Sequence, residues 1–324
     1  MAKSLTPFDL TPWVSAHPRS VISQNAPLAR LTTLHIGGAA DVLAEVADEN
    51  DLKDLLALSQ ERAWPVFVLG GGSNVLFGDQ GYKGLVLRLG AGFRETSING
   101  FRLTVGAGTP VSAVLRLAQE HNLSGLEPLV GLPGTLGGAV KGNAGGRQGT
   151  IGKRVSKLRF MELDGTTLEL TKADLSFGYR SLKMKPQKGV ILEVELSLYK
   201  DDPLTIQAKM EANAALRLNQ PKGRTAGCVF KNPVRGGQQI SAGLLIELCG
   251  LKGHRIGGAQ ISHEHGNFII NVDNATSDDV LALMREMSQQ VYERFERQLA
   301  PEIIRPGLGR WDKLGKNEEK AKAR

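Results

Sequence analysis

Two cysteines, Cys228 and Cys249, are all that these 324 residues contain, and neither belongs to a CxxC pair. A structural zinc site therefore finds no ligand spacing. His263 and His265 form an HxH pair, but no third ligand cluster accompanies them, so no metal is expected. The N-terminus, Met1-Ala2-Lys3-Ser4-Leu5-Thr6-Pro7, lacks the continuous apolar segment of a secretory signal. No run approaches the ~18 consecutive apolar residues of a membrane span. These absences leave a cytoplasmic protein with reduced thiols as the expectation. A basic stripe interleaved with aromatics is also missing, so nucleic acid is not an expected partner. No internal repeat is visible at ~20 to 50 residues.

The two familiar nucleotide signatures are absent as well. No GxGxxG opens a helix with an acid about twenty residues on, and there is no GxxxxGK[ST]. The composition is otherwise ordinary, at 41% hydrophobic and 23% charged, which excludes a disordered, collagen-like or coiled-coil chain. The length suggests roughly two domains. The formal net charge is +7, and residues 310–324 hold +3 of it. The mild charge that remains on the body suits an anionic small molecule as well as nucleic acid and decides nothing alone.

What is abundant is glycine: 39 residues, where a usual share is about 7%. The glycines cluster. Pro65-Val66-Phe67-Val68-Leu69 reads as a buried strand and ends directly in Gly70-Gly71-Gly72-Ser73-Asn74. Residues 131–146 hold seven glycines, beginning Gly131-Leu132-Pro133-Gly134-Thr135-Leu136-Gly137-Gly138 and ending Asn143-Ala144-Gly145-Gly146. Glycine lets backbone N–H groups approach a phosphate and reach positive φ, so two such loops in one domain point to a dinucleotide. Without the GxGxxG signature, the fold is not expected to be a Rossmann one. The candidates for cofactor contact are Gly70, Gly71, Gly72, Ser73, Asn74, Pro133, Gly134, Thr135, Gly138, Asn143, Ala144 and Gly145.

Around these loops the pattern is mixed. Residues 1–27, with four prolines, read as a surface arm with at most a short helix. A helix capped by Asn50 carries Leu52, Leu55 and Leu56. Thr109-Pro110 reads as a cap and first turn for a helix burying Val111, Val114, Leu115 and Ala118. Asp164-Gly165 between two strand-like runs signals a hairpin. Leu192, Val194, Leu196 and Leu198 alternate with polar residues as in a half-buried strand. A helix follows to about Asn219. Ser241 caps another with Leu244, Leu245 and Leu248 inside, and Ser277 opens a long one carrying Val280, Leu283, Met284, Met287, Val291 and Phe295. Ile303-Ile304 reads as a last short strand. The irregular order of strands and helices favours an α+β class over a doubly wound sheet. The expected domains are an N-terminal arm at 1–27, a cofactor domain at 28–200, a second domain at 201–306, and a disordered tail at 307–324.

Six segments recur in order in a known family: Thr33-Leu34-His35-Ile36-Gly37-Gly38, Gly70 to Asn74, Gly131 to Gly146, Phe177-Gly178-Tyr179-Arg180, Gly227-Cys228-Val229-Phe230-Lys231-Asn232-Pro233, and Ile256-Gly257-Gly258-Ala259-Gln260. Over residues 28–306 the chain resembles UDP-N-acetylenolpyruvoylglucosamine reductases. The segment from Gly227 to Pro233 is the most specific; the glycine loops are shared with other FAD enzymes of the same fold. The resemblance implies an FAD-binding domain of the vanillyl-alcohol oxidase-like (PCMH) type in two subdomains, with a C-terminal α+β substrate domain. It implies non-covalent FAD, NADPH as co-substrate and a UDP-sugar as substrate. The enolpyruvyl ether would become the lactyl ether of UDP-N-acetylmuramate, a peptidoglycan precursor. It also implies three catalytic positions. Arg180 would face the enolate charge, Cys228 would donate the proton where the family usually carries serine, and Glu302 would polarise or position the intermediate. A thiol with an ordinary pKa of about 8.5 is mostly protonated at neutral pH and can donate. Lys231, Asn232 and His265 fall where the family contacts substrate. The 48-residue gap between Arg180 and Cys228 resembles the family's shorter second type. The alternative is an FAD-dependent oxidase of the same fold acting on a sugar or alcohol. Many of those hold FAD through a histidine near the first glycine loop, and this chain has no histidine between His35 and His121.

Overall fold

The computed structural model describes residues 9–146 and 148–311. Two units share the chain in interleaved segments: residues up to 26, 40–71 and 83–218 form the first, and residues 27–39, 72–82 and those from 219 onward form the second.

The first unit begins with α1 (Thr11–Ala16) and β1 (Val21–Pro27), followed by β2 (Ala39–Val46), α2 (Glu49–Glu61), β3 (Val66–Val68) and β4 (Tyr82–Leu89). These strands make a four-stranded sheet in the order β1-β2-β4-β3, with β3 and β4 parallel. Next come β5 (Thr96–Asn99), β6 (Arg102–Gly106), α3 (Val111–Glu120), β7 (Leu123–Ser124), α4 (Leu136–Lys141) and the hairpin of β8 (Gly145–Gly146) with β9 (Gly149–Thr150). After β10 (Val155–Glu162) and β11 (Thr167–Thr171), β12 (Ser176–Gly178) and β13 (Ser181–Lys183) form a tight hairpin. β14 (Gly189–Ser197), β15 (Tyr199–Lys200) and α5 (Pro203–Ala215) complete the unit. A five-stranded sheet runs β11-β10-β14-β6-β5, antiparallel throughout, and β15 pairs with β7. Two hydrophobic clusters organise the unit: Trp13, Val42, Leu52, Leu56, Leu85 and Leu87 in one, Val105, Val114, Leu136, Phe160 and Val194 in the other. This is the two-subdomain arrangement expected of the fold class.

In the second unit, β16 (Thr225–Cys228), β19 (Arg255–Ile256), β20 (Ala259–Ile261) and β21 (Phe268–Asn271) form an antiparallel sheet in the order β16-β21-β20-β19. β17 (Val234–Arg235) and β18 (Gln238–Gln239) are a separate small hairpin, and α6 (Ala242–Leu248) and α7 (Ser277–Phe295) complete the unit. Leu34, Ile36 and Leu76 join Ile246, Ile261, Met284, Met287 and Val291 in its core.

Several expectations need correction. Residues 9–27 hold the one short helix allowed for, α1, but are more than a surface arm. Trp13 is buried, Ser20 Oγ donates to Asp51 at 2.5 Å, and β1 forms a sheet edge. An edge strand with one buried residue, Ala26, shows no alternation to read. The cap of α2 is Asp48, which accepts from the Asn50 and Asp51 N–H groups. Pro110, not Thr109, caps α3 and offers no side-chain oxygen. Leu244 and Leu248 are exposed, because α6 buries Ala242, Leu245 and Ile246 instead. α7 does open at Ser277 as expected, with Thr276 as its cap in a reciprocal pair with Asp279. Ile304 makes only an isolated bridge to Val75. The chain leaves the first unit after Leu218 rather than near 200, because α5 packs on α3 and on the turn at Glu127–Leu129. Of the expected tail, 312–324 lie outside the described residues, whereas Trp311 sets its ring edge-on to Phe230. Among the described residues no helix is long and apolar enough to cross a membrane.

Candidate active site

In the first unit, β3 delivers Gly70 and Gly71 to the second glycine loop. A Cβ on Gly70 would lie 2.5 Å from Thr135 Oγ1, and one on Gly71 would lie 2.6 Å from Gly134 Cα. Only glycine permits that approach. The second loop is anchored from below: Val111 N donates to Gly134 O at 3.0 Å, Leu136 N to Thr109 O at 2.8 Å, and Gly137 N to Ala107 O at 2.9 Å. Thr135 caps α4 through a 3.4 Å bond from Gly138 N. Pro133 lies between Leu132 and Gly134 in the same turn, and Ala144 ties back to Ala139 O at 2.8 Å.

The end of that loop is fastened to the turn bearing Arg180. Asn143, buried and at φ 43°, donates from Nδ2 to Gly178 O at 2.8 Å and accepts at Oδ1 from Gly152 N at 3.1 Å. Arg180 Nη1 donates to Gly145 O at 3.1 Å. β12 and β13 are joined by only Tyr179 and Arg180, and Arg180 sits at φ 51°. Left-handed backbone costs an L-residue about 1–2 kcal/mol, and glycine or asparagine would bear it more cheaply. Backbone strain of this kind clusters at functional sites, which makes Arg180 a candidate.

In the second unit, Gly72, Ser73 and Asn74 continue the first loop: Thr33 N donates to Gly72 O at 3.1 Å, and Ile304 N to Asn74 O at 3.0 Å. Asn74 Nδ2 donates to Glu302 O at 3.2 Å. Cys228 ends β16 opposite Phe268, and the step from Thr225 to Cys228 is matched on β21 by Ile270 to Phe268. The extra residue on β16 is a bulge, with Gly227 at φ 77°, which re-aims the chain at Cys228. Val229 O accepts from Glu302 N at 2.8 Å, and Lys231 N donates to Ala300 O at 2.8 Å. Cys228, Lys231 and Glu302 are thereby held on neighbouring backbones. Asn232 commits its Oδ1 to Ala242 N at 2.9 Å, at the start of α6. His265 packs on the same turn, where a Cβ on Gly243 would meet its ring at 2.6 Å. Its Nδ1 accepts from Asn267 N at 3.1 Å, which places the ring proton on Nε2. Burial, and then the Lys252 charge, push the His265 pKa down and favour the neutral ring. Among the described residues no group of three metal-ligating side chains occurs.

The expected site residues thus fall into two sets: Gly70, Gly71, the 133–145 positions and Arg180 in the first unit, and Gly72 to Asn74, Cys228, Lys231, Asn232, His265 and Glu302 in the second. Two residues beside the glycine loops went unnoticed. Lys141, at the end of α4, donates from Nζ to Gln187 O at 3.3 Å, and desolvation of its ammonium pushes its pKa down. Being the one charged residue between 131 and 146, it was visible in the sequence. The Thr109 hydroxyl is buried with no hydrogen-bond partner among the described residues, and no sequence pattern announces that.

Comparison with known proteins gives these loops a class. A family model described as an FAD binding domain matches residues 40–171, so the protein is a flavin-dependent oxidoreductase. A second, described as the UDP-N-acetylenolpyruvoylglucosamine reductase C-terminal domain, matches residues 219–305. A reductase of that name from Desulfosudis oleivorans is 38% identical over 304 residues, covering 90% of this chain and 96% of that protein. One from Anaeromyxobacter sp. is 41% identical, covering 88% of each. The crystal structure of the Thermus caldophilus reductase superposes with a TM-score of 0.76 at 38% identity, over 89% of this chain and 99% of that one. The chain belongs to the UDP-N-acetylenolpyruvoylglucosamine reductase family. The first unit's residues fit FAD. A Cβ at Gly138 or Gly142 would meet only one atom, at 3.5 Å, and one at Gly146 none within 4 Å, so the loop presents bare backbone, and the same unit holds the orphaned Thr109 hydroxyl.

Proposed function

We propose that this protein reduces the enolpyruvyl ether of UDP-N-acetylglucosamine to the lactyl ether of UDP-N-acetylmuramate, with NADPH as reductant, in cytoplasmic peptidoglycan precursor synthesis. The observation that carries this reading is the backbone tie in the second unit, where Val229 O accepts from Glu302 N and so keeps Cys228 and Glu302 on adjacent backbone segments. FAD, when bound by the glycine loops, supplies the hydride chemistry between NADPH and substrate. The substrate gains a hydride at its terminal carbon and a proton at the carbon bearing the carboxylate, and its C=C bond becomes single. The Arg180 guanidinium stabilises the negative charge that develops beside the carboxylate; such stabilisation is commonly the largest catalytic contribution. The Cys228 Sγ–H delivers the proton, and Glu302 orients the reacting group. Lys231 and the Nε2–H of His265 offer a cation and a neutral donor to the diphosphate and sugar. Asn232, whose Oδ1 accepts from Ala242 N, offers its amide to the substrate from the start of α6.

The test separates the two halves of turnover. Positioned proton transfer contributes about 10²- to 10⁴-fold, so Cys228→Ala should lose that much in steady-state rate while NADPH bleaches its flavin at a near-normal rate. Cys228→Ser should keep substantial activity, because a hydroxyl occupies the same place and donates. Equal slowing of both halves, or unchanged enolpyruvyl reduction in Cys228→Ala, would overturn the assignment.

A further inference from the structure

Asn267 has no part in the chemistry above, yet it is 2% exposed and makes four polar contacts. Its side chain pairs with both backbone polar groups of one residue: Oδ1 accepts from Phe230 N at 3.0 Å, and Nδ2 donates to Phe230 O at 2.8 Å. Its carbonyl accepts from Val229 N at 2.9 Å. Its own N–H donates to His265 Nδ1 at 3.1 Å. The β16–β21 ladder ends at Cys228 and Phe268, immediately after the bulge at Gly227. Beyond that point Asn267 does with its side chain what the next ladder step would have done with backbone. The opposite edge of the same segment is held by Glu302 N on Val229 O and Ala300 O on Lys231 N.

We propose that Asn267 is the positioning residue of this site, holding the Cys228-bearing strand in place beyond the bulge while fixing the ring proton of His265 on Nε2. The proposal rests on the reading of Cys228 as the proton donor. The chemical requirement is narrow. The position needs one donor and one acceptor, side by side, at the length of an asparagine. A carboxylate offers two acceptors and sets one against Phe230 O; a leucine offers neither. A protonated carboxylic acid, however, again presents one of each, so Asn267→Asp should work only when protonated.

The experiment uses flavin-loaded enzyme carrying Cys249→Ala, so that Cys228 is the sole thiol. Turnover, flavin bleaching by NADPH, and alkylation of Cys228 by iodoacetamide, read by peptide mass, are each followed from pH 6 to 8.5. A misplacement on the order of 1 Å can cost about 10²-fold, so at pH 8.5 Asn267→Asp should turn over roughly 10- to 100-fold more slowly than its parent. Bleaching should stay within about twofold of the parent, and the alkylation profile should move. Burial raises a carboxyl pKa, so toward pH 6 the aspartic acid should regain its proton and turnover should return to within about threefold of the parent. Asn267→Leu should show no such recovery. Parent-like turnover and alkylation in Asn267→Asp at pH 8.5, or the same pH profile in the Asp and Leu variants, would overturn the proposal. Cys228→Ala in parallel separates the two ideas: full turnover there sinks the proton-donor reading, while the alkylation profile still decides whether Asn267 places the thiol. Should the Leu variant fail to fold, amide exchange in the parent decides. Slow exchange at both Val229 and Phe230 supports the clamp, and fast exchange at either refutes it.

Discussion

Replacing Gly71 with alanine should weaken FAD binding without touching any charged or catalytic group. The added Cβ would stand 2.6 Å from Gly134 Cα and 3.4 Å from Gly134 C and N, all of them backbone. Ordinary contact begins at 3.4 Å, so the two loops must part by about 0.8 Å. Neither loop yields easily: Gly134 O is bonded to Val111 N, and the next residue, Thr135, caps α4. Overpacking of this kind typically costs about 1–3 kcal/mol. The flavin-free protein can relieve it by letting the loops separate, whereas cofactor binding needs them together, so the cost should appear in the dissociation constant as a rise of roughly 5- to 150-fold. Gly70→Ala should cost less, because the obstacle at 2.5 Å is the Thr135 hydroxyl, which can rotate away at the expense of the α4 cap. Gly309→Ala is the control, with nothing within 4 Å of the new atom. Fluorescence titration of deflavinated protein with FAD measures all three. An affinity for Gly71→Ala within twofold of the parent would refute the view that these two loops jointly hold the cofactor.

Three further outcomes are expected. Acid precipitation should release all the yellow colour into the supernatant, since the sequence has no histidine between His35 and His121 to link a flavin at the first glycine loop; colour retained in the pellet would mean a covalent flavin. Arg180→Gly should keep stability within about 1 kcal/mol, because glycine tolerates the left-handed turn, while turnover falls by about 10²- to 10³-fold; melting curves and rates that fall together would show that the side chain is only structural. His17 should make stability depend on pH. Burial works against its charge, but its ring nitrogens face the Trp13 carbonyl at 2.7 Å and the Asp54 carboxylate at 3.1 Å, with Asp51 also near, and these outweigh burial and raise the pKa. A raised pKa means the stabilisation is complete below about pH 6.5 and is lost as pH climbs through the folded value. The melting-temperature gap between the parent and His17→Gln should therefore be wide at pH 5.5 and closed at pH 8.5; a gap that widens with pH would contradict the assignment.

Much of the candidate site is legible along the chain, because the proposed chemistry depends on residue type. Two glycine-rich loops, a lone strand ahead of the first, the Arg180 turn and the thiol in Gly227–Pro233 all declare themselves locally. The capping residues were less well read. Asp48 and Pro110 do what Asn50 and Thr109 were expected to do. A cap is chosen by where the backbone turns helical, and neighbouring polar residues compete for the place. The buried face of α6 was misjudged for a related reason: two leucines four apart look like a core stripe, but the helix presents Ala242, Leu245 and Ile246 to its partners.

What the sequence by itself determined were the short-range matters: the period of the strands and helices, the places where glycine clusters, and the residue types offered at the candidate site. Tertiary structure alone decided which distant segments share a unit. Residues 27–39 and 72–82 join the C-terminal unit, and the edge strand β1 finds its place in the first sheet. Only the fold set the 2.6 Å approach at Gly71, the strain stored at Arg180 and the grip of Asn267 on Phe230. Each of these depends on pairing between residues far apart in the chain, and the physical terms that select such pairs, apolar burial and satisfied buried hydrogen bonds, are summed over contacts that no local pattern contains.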